Sequence, residues 1–230
     1  MVIGMSKSGV KGIFIITVTL MALVFGSRAS TGIIVPLLIM GDILAVIYYK
    51  RYVDWKLLMR FLPWMVLGVL IGVLYGKDLP EETFRDVMAA IIILSVGMMI
   101  YWERQKDLLL SDRKSFVSVV GILAGITTMI GNLAGPFSNI FFLSARIPKN
   151  EFIGTAAWLF FIINLFKLPF HIFVWETITL DSLKIDLYLL PIMLLGFWIG
   201  LKVVLLFKES FYRKFILIGT AIGAILLFFK

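Results

Sequence analysis

Residues 116–144 read FVSVVGILAGITTMIGNLAGPFSNIFFLS. The run is apolar at both ends and longer than the roughly 20 residues a spanning helix needs. Its middle, Thr127-Thr128-Met129-Ile130-Gly131-Asn132-Leu133-Ala134-Gly135-Pro136, gathers residues that break helices and leave backbone donors unpaired. The flanking charges decide how the run is laid down. Upstream, the stretch from Glu103 to Lys114 is net basic, and downstream Arg146 and Lys149 are basic too. Basic flanks stay cytoplasmic. A segment that begins and ends on one side does not cross once. The reading is therefore a re-entrant hairpin of two half-helices turning near Thr128–Asn132. Irregular backbone is tolerated at membrane depth only where protein or a water-filled cavity surrounds it.

The rest of the chain agrees with a bilayer setting. It is 61% hydrophobic and 16% charged, against roughly 45–50% and about 25% in soluble domains. Apolar segments recur at about 1–25, 31–49, 57–76, 84–102, 116–144, 152–174, 187–207 and 211–229, joined by short connections. The net charge of +8 sits in those connections, so it reads as orientation rather than nucleic-acid binding. The absence of cysteine excludes disulfides and thiolate metal sites. The opening residues, with Ser6, Lys7, Ser8 and Lys11, show no cleavage-type ending, so no removed signal peptide is expected. The expectation is one all-α, multi-pass domain in the cytoplasmic membrane.

The polar stretch at about 103–114 splits the chain near its middle and prompts a search for a repeat. At an offset of 122, Gly9 matches Gly131, Gly32 matches Gly154 and Asp42 matches Asn164. A longer loop near 174–182 raises the offset to 128, where Pro63 matches Pro191, Gly68 matches Gly196 and Gly72 matches Gly200. Equivalent loops carry opposite charge. Lys50, Arg51, Lys56 and Arg60 outweigh Asp54, whereas their partner region sets Glu176, Asp181 and Asp186 against Lys184. The acidic stretch from Lys77 to Asp86 is matched by the basic one from Lys208 to Lys214. Opposite charge on equivalent loops is the mark of an inverted repeat. Repeat 1 then covers about 1–102, a cytoplasmic linker about 103–114, and repeat 2 about 115–230. Each half is a Gly-rich re-entrant hairpin plus three transmembrane helices, with eight spanning helices in a 4+4 arrangement as the alternative. Residue 1 matches about residue 123, so the upstream half-helix at about 116–122 lacks a counterpart in the first half.

Three groups of residues suggest chemistry. Gly4, Ser6, Lys7, Ser8, Gly9, Lys11 and Gly12 combine helix-breaking glycines, hydroxyl donors and two cations, a set that suits an anion at a half-helix terminus. The alternative is a basic N-terminus snorkelling to the interface. Thr127, Thr128, Gly131, Asn132 and Gly135 form the matching turn of the second half; the alternative is a kinked helix whose threonines bond back to carbonyls. Asp42 lies inside an apolar run, where a carboxylate costs about 2.5–3.5 kcal/mol on insertion scales. It should pair with Lys7 or Lys11, or titrate; a structural ion pair is the alternative. Asn164 is its mate, and Lys167 is a similar intramembrane charge. The Gly68-x-x-x-Gly72 and Gly196-x-x-x-Gly200 pairs read as close helix packing. Pro36, Pro63, Pro169 and Pro191 read as kinks, His171 as packing, and Tyr48, Tyr49, Trp55, Trp102 and Trp175 as an aromatic belt. No nucleophile triad, phosphate loop, metal-ligand cluster or carboxylate pair is legible, so neither enzyme chemistry nor a cofactor is expected.

The glycine-rich opening of each half, Pro36-Leu37-Leu38-Ile39-Met40-Gly41-Asp42, and Gly154-Thr155 opening the sixth segment together resemble the sulfite exporter TauE/SafE family. The likeness covers nearly the whole chain as two similar halves. It implies transport of sulfite, sulfonates or related organosulfur anions, coupled to an ion gradient. The expectation is a secondary transporter in which the two Gly-rich turns meet near the midplane and hold a small anion. Lys7, Ser6, Ser8, Thr128 and Asn132 would bind it through side chains, and Gly9 and Gly131 through backbone. Asp42 would order the lysine or carry a proton. A passive anion channel and a non-transporting accessory or assembly subunit remain open as alternatives. The expected partners are the anion, membrane lipid and, as an open question, further copies of the chain; nucleic acid is not among them.

Overall fold

The computed structural model describes residues 1–10, 13–104, 113–208 and 211–212. Among them the chain is helical: α1 (Val2–Lys7), α2 (Phe14–Phe25), α3 (Ser27–Tyr49), a 3-10 turn (Lys50–Tyr52), α4 (Trp55–Gly76), α5 (Glu81–Arg104), α6 (Lys114–Gly131), α7 (Ala134–Ser144), α8 (Lys149–Phe173) and α9 (Leu180–Leu205). Among the described residues five segments are long and apolar enough to cross a membrane: Ser27–Tyr52, Trp55–Gly76, Lys114–Gly131, Lys149–Phe173 and Leu180–Leu205. The described residues hold helices and no strand, and the chain is a multi-pass membrane protein. Lys11, Gly12, most of the expected linker and the eighth apolar segment beyond Tyr212 lie outside the described residues.

Several helices start earlier than their apolar runs, because polar caps extend them. Asp54 Oδ1 accepts from the Leu57 N–H at 2.9 Å and starts α4. Thr179 and Ser182 exchange side-chain and backbone hydrogen bonds in a capping box that starts α9 at Leu180. Asp186, expected in the preceding loop, therefore lies within α9 and is 6% exposed. Pro36, Pro63, Pro169 and Pro191 sit inside α3, α4, α8 and α9.

The central pair is α3 and α8. A Cβ on Gly32, near the start of α3, would overlap Thr177 beyond the end of α8. A Cβ on Gly154, near the start of α8, would lie 2.9 Å from the Tyr52 carbonyl carbon beyond the end of α3. The two helices are thus antiparallel, and they define two ends of the bundle. The Tyr52 end joins the start of α8 to α9 through Lys149 Nζ, which donates to the Val204 and Phe207 carbonyls. The Thr177 end is tied by Arg28, whose guanidinium donates to the Gly76, Lys77 and Leu79 carbonyls, and by Glu81, which accepts from the Ser27 N–H at 2.6 Å.

Glycine lets two further pairs approach closely. On α4, a Cβ at Gly68 would overlap the Ile122 carbonyl of α6, and one at Gly72 would lie 2.9 Å from Met129 Cβ. On α9, a Cβ at Gly196 would overlap the Met1 carbonyl, and one at Gly200 the Ser8 hydroxyl. In both pairs the contacts advance in step, so α6 runs parallel to α4 and α1 parallel to α9.

The run at 116–144 breaks at Asn132, which takes a left-handed conformation (φ 56°) and closes α6. The chain then doubles back. Gly121 of α6 abuts Phe61 of α4, and the Phe61 ring stacks on Phe141 of α7 with centroids 4.3 Å apart. Residues roughly ten positions either side of the break thus share one level of α4. The arms differ from the half-helices expected. α6 has 18 residues, about 27 Å, whereas α7 has 11 and is too short to cross about 30 Å. The first segment breaks likewise between α1 and α2, at Ser8–Val10, with Gly9 at φ 122°. With six and twelve residues, α1 and α2 are both shorter than a span.

Candidate functional site

The two chain breaks do not meet. The first lies toward the Tyr52 end: Tyr49 Oη donates to the Ser8 carbonyl at 3.1 Å and Tyr212 Oη to the Gly9 carbonyl at 2.9 Å. A Cβ at Gly9 would touch Ile153 and Val204. The second lies toward the Thr177 end, where Asn132 Nδ2 donates to the Thr31 carbonyl at 3.0 Å and Gly131 faces Met88. The two tips, expected to meet at the midplane, lie instead toward opposite ends of the α3–α8 pair, with α6 and α1 packed along the glycine seams of α4 and α9.

What occupies the middle is a polar cluster built on the α3–α8 pair. Asp42 lies ten residues beyond Gly32 on α3, and Asn164 ten beyond Gly154 on α8, so each is about 15 Å from its helix's contact with the opposite loop. They meet there, Asn164 Nδ2 donating to Asp42 Oδ2 at 2.6 Å. Lys7 Nζ donates to Asp42 Oδ1, also at 2.6 Å, and stands 5.2 Å from the Phe160 ring centroid. The Lys7 stem fits against Gly41, where a Cβ would lie 2.9 Å from Lys7 Cγ. Asp42 is 0% exposed and Lys7 8%.

One turn along α8, Lys167 is 0% exposed. Its ammonium donates to Asn132 Oδ1 at 2.6 Å, to the Thr128 carbonyl at 3.1 Å and to Thr128 Oγ1 at 3.2 Å. All three acceptors are neutral. Among the described residues the cluster holds one carboxylate, which accepts from Lys7 and Asn164 and also acts on the Lys167 charge. With both lysines protonated this buried centre carries an excess of positive charge, the arrangement that attracts a small anion.

The remaining candidates divide. Ser8 and Thr127 bond back to their own helices, Ser8 Oγ to the Met5 carbonyl at 2.8 Å and Thr127 Oγ1 to the Ala124 carbonyl at 3.2 Å. Those hydroxyls spend their donors within the breaks. Ser6 is buried on α1, and Gly135 has open space at its Cβ position. Two residues expected in the aromatic belt are instead internal. Tyr49 is buried against Ser8, and Trp175 packs edge-on to Phe84 and His171 while its Nε1 donates to the Val73 carbonyl at 3.4 Å. The sequence reading gave neither a site role. One signal was available, because Tyr49 and His171 stand at the same offset as Asp42 and Asn164.

The model of the sulfite exporter TauE/SafE family matches residues 1–227. The chain belongs to that family. No curated protein and no solved structure matches this TauE/SafE chain. Nearly all of the chain is thus accounted for by one family unit, and the buried cluster lies inside it.

Proposed function

We propose that this TauE/SafE protein is a secondary transporter for a small sulfur-containing anion, of the sulfite or sulfonate type, across the cell membrane. The observation that carries the reading is Lys167: a fully buried ammonium at mid-bundle whose hydrogen bonds all go to neutral acceptors. Holding a charge in the membrane interior costs about 2.5–3.5 kcal/mol on insertion scales. An anion bound beside it offsets that cost, and the family's name supplies the chemical class.

The inverted repeat supplies the mechanism. Its support is threefold. The α4–α6 pair, parallel and glycine-packed, recurs as α9–α1. Gly32 and Gly154 make reciprocal contacts with the loops after α8 and α3. Asp42 touches its own mate Asn164, which two equivalent residues do only near the axis relating the halves. In this reading 116–144 is a re-entrant hairpin, and the Tyr52 end, with Lys50, Arg51, Lys56, Arg60, Arg146 and Lys149, is cytoplasmic. Rocking one half against the other opens the cluster to alternate sides. Asp42 couples the cycle: when the anion draws Lys7 away, the carboxylate takes a proton.

The test is flux into proteoliposomes with a panel of sulfite, sulfonates, thiosulfate and sulfate. Saturable uptake that responds to a proton gradient is the expected result. Absence of uptake for every anion, with folded and inserted protein, refutes the reading, and large unitary currents would replace it with a channel.

A further inference from the structure

Among the buried polar atoms of α8 outside the cluster described above is the Nε2 of His171. The side chain is 0% exposed, and Nε2 has no hydrogen-bond partner among the described residues. The other ring nitrogen is held: Nδ1 lies 2.9 Å from Thr177 Oγ1. Thr177 is itself fixed, its backbone N–H donating to the His171 carbonyl at 2.9 Å and its side chain filling the space beside Gly32. Trp175 packs edge-on to the ring, centroids 5.4 Å apart. The imidazole is thus locked in one orientation.

The Thr177 hydroxyl hydrogen has two destinations, the His171 carbonyl at 3.4 Å and Nδ1 at 2.9 Å. Turned to Nδ1, the shorter contact, it leaves the ring proton on Nε2, and in that tautomer His171 presents a donor. Asn164, Lys167 and His171 follow an i, i+3, i+7 spacing and share one face of α8. Helical side chains lean toward the N-terminus, so the imidazole lies over the Lys167 turn. Two donors on adjacent turns, in a buried place, call for an acceptor with more than one oxygen. The Lys167 charge repels a cation from the same place.

We propose that His171 Nε2–H is a substrate-binding donor, which with Lys167 Nζ holds two oxygens of one sulfite- or sulfonate-class oxyanion on the Thr177 side of the Lys7–Asp42 pair. This rests on the anion-transporter reading and adds to it the residue that meets the anion between the Thr177 end and the centre.

His171 is the sole histidine, so protein labelled with 15N-histidine gives one pair of ring resonances. Titration of the parent protein in nanodiscs with sulfite should move the Nε2 resonance saturably, with the midpoint found in transport. In proteoliposomes, His171→Met should raise the sulfite KM about tenfold, the worth of one charge-assisted hydrogen bond. His171→Gln, which keeps an N–H donor, should stay within about threefold of the parent. An Nε2 resonance that stays still at saturating sulfite overturns the proposal, whether or not either variant folds. So does a His171→Met protein with the parent's KM. If the parent carries no saturable anion flux, the transporter reading falls and this inference with it; parent flux with an unmoved Nε2 removes only the inference.

Discussion

Asp42→Asn offers the sharpest test of the buried cluster. The carboxylate accepts from Lys7 and Asn164 at 2.6 Å each and is wholly buried. The substitution keeps the shape and an acceptor oxygen but leaves the Lys7 ammonium with no counter-charge from this residue. Removing one partner of a buried ion pair costs about 3–5 kcal/mol. At about 2–4 °C per kcal/mol for a chain of this size, Tm should fall by roughly 6–20 °C. Lys7→Met should cost a comparable amount, because it strands the carboxylate instead. The double variant removes both charges, and replacing a buried pair by neutral groups is often close to neutral. It should therefore melt well above either single variant, with an interaction term on the order of 2–3 kcal/mol. The assay is thermal unfolding of all four proteins in one detergent, with flux recorded in parallel. Single variants that melt within about 2 °C of the parent, or a double variant equal to the sum of the singles, would refute the buried pair. Loss of flux in the double variant despite restored Tm would place the pair in transport as well as in folding.

Lys167→Met should lower anion flux at least about a hundredfold, about 2.7 kcal/mol, by removing the buried charge; retained flux at parental KM, measured in proteoliposomes, would disprove its role. Gly196→Val should destabilise by about 2–4 kcal/mol, since its Cβ overlaps the Met1 carbonyl, whereas Gly97→Ala, with nothing within 4 Å of its Cβ position, should be neutral or raise stability by up to about 1 kcal/mol; melting curves for the two decide. The chain has no native cysteine, so single cysteines at Arg51 and at Glu176 should react with an impermeant maleimide from opposite sides of sealed vesicles, and labelling from one side would remove the inverted topology.

The sequence carried the pairing of residues better than their depth. Asp42 and Asn164 touch, and the proposed repeat offset picks out the same two residues because an offset is a count along the chain. Lys7 was legible, beside Lys11, as one of two candidate partners because an isolated intramembrane carboxylate demands a cation. Depth is not a count. Gly131 and Asn132 announce that a helix ends, but where it ends in the bundle depends on how closely α6 presses on α4, which Gly68, Gly72 and Gly125 settle only once the partner helix is known. The same holds for Trp175. Its position after an apolar run fits an interfacial anchor, yet Gly76 opens a space that draws the indole inward, a Cβ there falling 2.6 Å from Trp175 Cζ2. Counting charge by loop misplaced Asp186 for a related reason: the Thr179–Ser182 cap starts the helix inside the polar stretch and carries the carboxylate into the bundle. What a single sequence hides here is lateral packing between glycine-lined faces. The candidate site follows that packing, because the seams set how far α1 and α6 run, and so where Lys7 and the Thr128 and Asn132 acceptors of Lys167 come to lie.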